Sequence, residues 1–328
     1  MQSRKTSADL WHQKPYYSLD AWCKNTYGRK LYKAALDIGC TCPNRDGTLD
    51  TRGCIFCSAG GSGDFAASRQ LSVTDQLNQA KALLSSKWIP EPGKPSLIAY
   101  FQAYTNTYGD PDRLLSCYEE ALSSPEVAGI SIATRPDCLS DIILEGLDRL
   151  RLLYPDRFIW IELGLQSIHD HTAARIRRGY PTSVFYDAAA KLHAQRLPFI
   201  VHLILGLPGE TRLDLLESIR AVNQVHPFGV KLQLLHILKG TDLALLYEAG
   251  KLPVLTQEEY LDLLTSCIAA LSPDICLHRV TGDGPRKLLI APQWSLSKRN
   301  VLNGLHALMK QRNLRQGDNY EPGTSYTL

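Results

Sequence analysis

The segment GCTCPNRDGTLDTRGCIFCSAGGSGDF, residues 39–65, holds four of the nine cysteines of the chain. Cys42, Cys54 and Cys57 form a C-x11-C-x2-C pattern, and Cys40 stands two residues before the first of them. The segment directly follows an apolar run that predicts a strand. Cysteines gathered on one glycine-rich loop are typical of a metal or redox site.

The residues alone leave three interpretations of this cysteine loop open. Four thiolates suit a tetrahedral zinc ion, although one residue between Cys40 and Cys42 is a tighter spacing than paired zinc ligands usually have. Three thiolates suit a 4Fe–4S cluster with one iron left for a substrate or cofactor. Unligated buried thiols are the third interpretation. We expect the glycines of the loop to let the backbone pass close to an inorganic core; they are Gly47, Gly53, Gly60, Gly61 and Gly63.

The composition indicates a globular chain, because 328 residues of which 44% are hydrophobic can bury a large core. The N-terminal residues do not resemble a secretory signal, and no uncharged apolar run is long enough to cross a bilayer. We therefore expect a cytoplasmic protein with no membrane partner. Reducing conditions there argue against a disulfide framework.

Short apolar runs alternate with longer amphipathic runs along the chain. Strands are predicted at 30–38, 96–102, 128–134, 158–165, 199–206 and 229–236. Near-continuous apolar strands separated by helices are typical of a parallel sheet covered by helices. The sequence therefore predicts an α/β fold, a partial or complete barrel whose chemistry lies where strands end and loops begin.

A series of motifs along most of the chain resembles the radical S-adenosylmethionine (SAM) family, and within it the subgroup of YtqA-like and YhcC-like bacterial proteins. The motifs are CPNRDGT at 42–48, GCIFCSAGGSGDFA at 53–66, YFQAYTNT at 100–107, ISIATRPDCL at 130–139, WIELGLQS at 160–167, LILGLPGET at 203–211, LLHILKGT at 234–241 and HRVTGDGP at 278–285. The resemblance implies a partial (β/α)6 TIM-type barrel with N- and C-terminal extensions. The expected bounds are 1–30 for a basic aromatic extension, 31–245 for the barrel, and 246–328 for an extension that closes the barrel and binds RNA.

The same resemblance implies the cofactors, a 4Fe–4S cluster and SAM. Cys42, Cys54 and Cys57 are the expected cluster ligands, and Phe56 is expected to shield the cluster. An electron donor such as flavodoxin or ferredoxin would reduce the cluster, and cleavage of SAM would give a 5′-deoxyadenosyl radical. The expected SAM-binding residues are Gln102, Thr105, Asn106, Glu162, Ser167, Ile204 and Gly206.

Arg135 and His236 are the candidates for recognition of a substrate carboxylate or amine. An arginine suits a carboxylate because it pairs with both oxygens. Two structural alternatives remain open at this stage. The alternative for Glu162 is a structural ion pair with Arg135. The alternative for His236 is a core histidine whose hydrogen bonds are made within the protein.

Charge is unevenly distributed along the chain. Residues 286–315 hold seven basic residues and no acid, and residues 1–33 interleave basic residues with aromatic ones. Cations and flat rings suit a polyanion with exposed bases. The alternative is a solvated surface whose aromatic residues anchor the termini to the core.

The subgroup resemblance implies a tRNA partner. The implied reaction converts 5-carboxymethylaminomethyl-(2-thio)uridine at the wobble position to the 5-aminomethyl form, by hydrogen abstraction from the glycine-derived methylene, oxidation to an imine and hydrolysis. The wobble base has to be splayed out to reach a barrel interior. Two other functions are compatible with the residues: a radical SAM enzyme acting on a small molecule or peptide, and a non-catalytic zinc-ribbon RNA-binding protein.

Overall fold

A computed structural model describes residues 10–84, 94–282 and 284–322. Parts of three sequence predictions lie outside the described residues. They are Arg4 and Lys5 of the basic N-terminus, Asp283 of the HRVTGDGP motif, and residues 323–328 of the C-terminal extension.

Strands and helices alternate along most of the chain. The strands are β1 (Tyr32–Leu36), β2 (Leu97–Phe101), β3 (Val127–Thr134), β4 (Phe158–Gln166), β5 (Phe199–Leu205), β6 (Gly229–Leu234), β7 (Ile237–Leu238), β8 (Cys276–Arg279) and β9 (Leu289–Ala291). The helices are α1 (Leu19–Tyr27), α2 (Val73–Leu84), α3 (Pro111–Ser123), α4 (Asp141–Leu153), α5 (Asp170–Arg175), α6 (Thr182–Ala194), α7 (Arg212–Val225), α8 (Asp242–Glu248), α9 (Gln257–Ala270) and α10 (Lys298–Gln311).

A seven-stranded sheet has the strand order β1-β2-β3-β4-β5-β6-β8, and β7 pairs with β9 separately. Parallel pairing sets the register, with Tyr32 opposite Leu97 and Ile130 opposite Ile159. The predicted α/β class is confirmed, and all six predicted strands are present. The seventh, β8, pairs in parallel with β6. The sequence did not single it out because it is short and ends in His278 and Arg279.

The chain divides into two compact units. The first, which we call the cysteine unit, comprises residues 29–164 and 178–199 and contains β1, β2, β3 and the cysteine loop. The second, the C-terminal unit, comprises residues 1–28, 165–177 and 200–328. Among the described residues, no helix combines the length and the apolar composition that a membrane span requires.

Local sequence signals explain where several helices begin. Asp110 caps α3 by accepting a hydrogen bond from the backbone N–H of Arg113, and a proline occupies the first turn. Capping boxes open α7 and α9, in which a threonine at the N-cap exchanges hydrogen bonds with an acidic residue in the first turn. These caps fix the connections between the buried strands.

The N-terminal aromatic residues pack within the C-terminal unit. Trp11 and Tyr16 are only 5% and 4% exposed. The Tyr16 ring contacts the ring of His306, and the backbone carbonyl of Tyr17 accepts a hydrogen bond of 2.7 Å from Leu277 N. Anchoring, the alternative to base stacking, therefore describes Trp11 and Tyr16. Because these two rings are covered by protein, they are not available to stack on exposed bases.

Candidate cluster and cofactor site

The long gap between Cys42 and Cys54 is folded into a compact turn. The backbone N–H of Arg45 donates to the carbonyl of Cys42 at 2.7 Å, and that of Gly53 donates to the carbonyl of Asn44 at 2.7 Å. A second turn follows, in which Cys57 N donates to the carbonyl of Cys54 at 3.0 Å. Because the chain doubles back in this way, Cys42 and Cys54, which have 11 residues between them, come close in space.

The three thiols of the C-x11-C-x2-C pattern act on one another electrostatically. Burial, followed by the neighbouring Cys57 thiol, raises the pKa of Cys54 to about 12. Burial also raises the pKa of Cys57, and the nearby Cys42 thiol contributes to this rise. Desolvated thiols of this kind remain protonated unless a positive centre compensates the thiolate charge.

Cys40 has a different environment. Its side chain is buried, and burial raises its pKa to about 11, against the lowering effect of Arg113. The Arg113 guanidinium also donates to the carbonyl of Ile38. The structure therefore groups Cys42, Cys54 and Cys57, and places Cys40 towards α3.

Nitrogen donors surround the three thiols. One guanidinium nitrogen of Arg45 donates to the carbonyls of Cys57 and Ser58, both at 2.8 Å. The side-chain amide nitrogen of Asn44 lies 3.5 Å from Cys54 Sγ. A nearby positive charge and an N–H group directed at sulfur suit an anionic thiolate cluster.

The spacing of the sulfurs distinguishes between a cluster and a single metal ion. Thiolates around one tetrahedral zinc ion, at about 2.3 Å from the metal, lie about 3.8 Å from one another. Over residues 10–84, 94–282 and 284–322, the one group of three or more potential ligands within 4.8 Å of one another is His169, Asp214 and Glu217. At least one pair of the three cysteine sulfurs therefore lies more than 4.8 Å apart, which is wider than one zinc ion requires of its ligands.

The glycines of the cysteine loop approach protein atoms. A Cβ atom at Gly61 would lie 2.3 Å from the Tyr104 ring, and one at Gly63 would lie 2.5 Å from Ala103 Cβ. Tyr104 N also donates to the carbonyl of Gly61 at 2.8 Å. On the side where a Cβ atom would project, Gly61 and Gly63 make room for the loop after β2; their approach to an inorganic core stays a prediction.

Glu162 is fully buried in the cysteine unit, and its ion-pair partner is not Arg135. Its Oε1 atom accepts from Lys33 Nζ at 2.9 Å and from Ser131 Oγ at 2.6 Å. The Lys33 ammonium also lies over the Tyr100 ring, 4.2 Å from its centre. The proposed ion pair between Glu162 and Arg135 is not what the structure shows, because Lys33 takes that place. Sequence reasoning missed Lys33, although a lysine inside a predicted strand was a signal.

Arg135 pairs with its near neighbour in sequence. Its Nε and Nη2 atoms donate to the two carboxylate oxygens of Asp137 at 2.9 and 2.7 Å, and Nη1 donates to the carbonyl of Arg178 at 2.9 Å. Its positive charge opposes the rise that burial causes in the pKa of Cys54. The structure thus places Arg135 beside the cysteines, with its fork directed at Asp137; its role towards a substrate remains a prediction.

The other expected SAM-binding residues of the cysteine unit lie in two loops. Phe56 is half-buried between Cys54 and Cys57. Gln102 N donates to the carbonyl of Leu36 at 3.3 Å, and Thr105 N to that of Thr41 at 3.1 Å.

Asn106 is fully buried, and its side-chain nitrogen donates to the carbonyls of Phe101 and Ala133, both at 3.0 Å. Its Oδ1 atom is buried and has no hydrogen-bond donor among the described residues. A buried acceptor without a donor costs free energy, so a bound group that supplies an N–H or O–H stabilises the site.

The remaining expected residues belong to the C-terminal unit. Ser167 is buried, and its hydroxyl donates to Glu210, whose pKa is raised by burial. Ile204 is 9% exposed near the end of β5. Gly206 follows with φ +87°, and a Cβ atom there would lie 3.0 Å from Leu255. Their roles as SAM contacts stay predictions.

His236 follows β6 and meets the HRVTGDGP segment. Its Nε2 atom lies 3.1 Å from Ser295 Oγ, and a Cβ atom at Gly282 would lie 2.3 Å from its ring. Burial, followed by Arg279 and Lys298, lowers the pKa of His236 to about 4. The imidazole is therefore neutral at pH 7 and acts as a hydrogen-bonding group.

The sequence matches of this chain agree with the cysteine geometry. Residues 42–222 match the radical SAM superfamily, and residues 227–311 match the radical SAM C-terminal domain. The first match alone covers more than half of the chain. The chain is a radical SAM protein. Its family binds a 4Fe–4S cluster and SAM, so the cofactors expected from the sequence are confirmed.

Relatives of this radical SAM protein match over nearly their full lengths. It is 40% identical to the uncharacterized protein YtqA of Bacillus subtilis over 305 residues, 93% of this chain and 92% of YtqA. It is 37% identical to protein YhcC of Escherichia coli over 272 residues, 82% of this chain and 84% of YhcC. The predicted subgroup is therefore confirmed.

A solved structure supports the radical SAM partial barrel. The archaeal Elp3 of Methanocaldococcus infernus, with its N-terminus deleted, aligns with a TM-score of 0.65 at 16% identity, over 87% of this chain and 64% of the Elp3 chain. At this identity the likeness concerns the fold alone.

Proposed function

We propose that this radical SAM enzyme acts on tRNA, and that it converts 5-carboxymethylaminomethyl-(2-thio)uridine at the wobble position to the 5-aminomethyl form. We place it in the cytoplasm, where its tRNA partner is found. Within the proposal, residues 31–245 form the catalytic barrel, residues 1–30 form an N-terminal extension, and residues 246–328 form an extension that contacts RNA.

The observation that carries the proposal is an exposed basic stretch in the C-terminal unit. All seven basic residues between positions 286 and 315 are exposed, and the stretch holds no acidic residue. They are Arg286, Lys287, Lys298, Arg299, Lys310, Arg312 and Arg315. Arg312 pairs with Asp262 of α9 at 2.5 Å. Exposed cations in a stretch without acidic residues attract a phosphate backbone.

The start of α10 strengthens this argument. Lys298 and Arg299 open the helix, and its first turn contains no acidic residue. Cations are unfavourable at this end of a helix, where backbone N–H groups and the helix dipole favour an anion. A phosphate bound there would compensate the positive charge, which supports an RNA contact at this turn.

Residues of the cysteine unit would hold the cofactors. Cys42, Cys54 and Cys57 would ligate three irons, and the buried Oδ1 of Asn106 would accept a hydrogen bond from a SAM donor. When bound, the cluster and SAM supply a radical that abstracts hydrogen. Glu162 is already ionically paired and hydrogen-bonded, so its carboxylate is held in one orientation for the hydroxyls of a ribose.

Mass spectrometry of nucleosides tests the proposal. Anaerobically reconstituted protein, SAM and a reductant are incubated with tRNA that carries 5-carboxymethylaminomethyluridine. We expect 5-aminomethyluridine and 5′-deoxyadenosine from the wild type, and neither product from Cys57→Ala.

Two results would redirect the assignment. Formation of 5′-deoxyadenosine with unchanged tRNA nucleosides would favour a small-molecule or peptide substrate. A wild-type protein that takes up zinc but no iron or sulfide would contradict the cluster assignment itself.

A further inference from the structure

A short segment of the cysteine unit, Arg178–Gly179–Tyr180, lies against the cysteine loop. Arg178 is 1% exposed, and its Nη2 atom donates to the carbonyl of Tyr180 at 3.1 Å and to Thr182 Oγ1 at 2.9 Å. The Tyr180 hydroxyl donates to the carbonyl of Gly164. The segment is therefore fixed by its own side chains.

The carbonyl of Arg178 accepts hydrogen bonds from two side chains, one of which, Asn44, faces a cysteine. It accepts from the side-chain nitrogen of Asn44 at 3.0 Å and from Arg135 Nη1 at 2.9 Å. The same Asn44 nitrogen lies 3.5 Å from Cys54 Sγ. One backbone oxygen thus orients both an amide donor and a guanidinium at the edge of the thiol group.

The Tyr180 ring supports the same arrangement. The guanidinium carbons of Arg178 and Arg135 lie 4.5 and 4.9 Å from the ring centre. Gly179 has φ +85°, and a Cβ atom at this position would lie 2.5 Å from Asn44 Oδ1. A side chain at position 179 would therefore displace Asn44 unless the segment itself moved.

Reduction adds a negative charge to an iron–sulfur cluster. An N–H group directed at a ligating sulfur stabilises that charge, and so it raises the reduction potential. We propose that Arg178–Gly179–Tyr180 is a positioning element that raises the reduction potential of the cluster by holding the Asn44 amide beside Cys54 Sγ. This inference rests on the cluster ligands named in the proposed function.

The test compares two glycine variants of the full chain after anaerobic reconstitution. Gly179→Ala introduces the clash with Asn44. Gly250→Ala is the matched control, since Gly250 also has positive φ, +67°, but no atom within 4 Å of an added Cβ. The midpoint potential is measured by redox titration followed by electron paramagnetic resonance, without tRNA.

We expect a more negative potential for Gly179→Ala at unchanged iron content, and the wild-type potential for Gly250→Ala. Formation of 5′-deoxyadenosine without tRNA should fall roughly 10-fold in Gly179→Ala, the lower end of the usual effect of groups around metal ligands. An unchanged potential with an intact cluster would overturn the proposal.

Asn44→Ala tests the same proposal and does so even if Gly179→Ala fails to fold. It removes the amide donor directly and should also make the potential more negative. When Gly179→Ala and Asn44→Ala are combined, their shifts in midpoint potential should not add, because Gly179 acts through Asn44. A wild-type potential in Asn44→Ala would equally overturn the proposal. Because no tRNA is present, failure of the wobble-uridine proposal leaves these outcomes unaffected.

Discussion

Lys33 is the cationic partner of a carboxylate that has no exposure to solvent. Glu162 is 0% exposed, and Lys33 Nζ lies 2.9 Å from its Oε1 atom. Lys33→Met would leave the buried charge without its cation, so we expect a loss of about 3 kcal/mol in the free energy of unfolding. Urea denaturation of the cluster-free protein measures it.

The control for this ion pair is a double-mutant cycle. Glu162→Gln removes the carboxylate charge, so Lys33→Met should cost much less in that background than in the wild type. Equal losses in both backgrounds would show that Lys33 stabilises the protein through packing on Tyr100 rather than through Glu162.

His236 makes the stability of the chain depend on pH. Its pKa in the folded state is about 4, against about 6.5 in an unfolded chain. Between these values the unfolded state binds the proton more readily, so stability present above pH 6.5 is lost as the pH falls towards 4, by up to about 3 kcal/mol.

The measurement is the free energy of unfolding at several pH values in this window. In His236→Gln the stability should fall less steeply with decreasing pH than in the wild type. If the free energy of unfolding fell equally with decreasing pH in the wild type and in His236→Gln, the assignment of a buried neutral imidazole at this position would be contradicted.

At the scale of elements, the turn that joins Cys42 to Cys54 is the most sensitive part of the cysteine unit. A Cβ atom at Gly53 would lie 2.9 Å from Arg45 Nε, whereas the nearest atom to one at Gly47 is 4.0 Å away. Both glycines have positive φ, +75° and +94°. Gly53→Ala should therefore displace Arg45 and lower the iron content per chain, which a colorimetric iron assay measures.

Gly47→Ala is the matched control within the same turn, because it carries the backbone strain without the contact. Its iron content should exceed that of Gly53→Ala. Equal losses in the two variants would assign the effect to backbone conformation and remove the organising role of Arg45.

At the scale of the whole molecule, the basic stretch 286–315 predicts how tRNA binding responds to salt. Each phosphate contact that is removed should reduce the slope of log affinity against log salt by about 1. Replacing Lys298 and Arg299 with glutamine should therefore weaken binding and lower the slope by about 2. Filter binding over a series of salt concentrations measures both quantities.

Lys251→Gln is the control, because Lys251 is exposed in the same unit but lies outside the basic stretch. It should leave the slope unchanged. If the double variant kept the wild-type affinity and slope, tRNA would have to bind another surface. The double variant at Lys298 and Arg299 should be no less stable than the wild type, since cations at a helix N-terminus are unfavourable in the free protein.

The sequence by itself determined six strands of the main sheet, the α/β class, the family and the cysteine pattern, because apolar periodicity and motif spacing are local properties of the chain. The tertiary structure alone decided which groups meet. Lys33 and Glu162 are 129 residues apart, and Asn44 and Arg178 are 134 apart. Strand order and packing set such contacts, and residue type cannot. For the same reason the partner of Arg135 and the burial of Trp11 and Tyr16 became evident only in the folded chain.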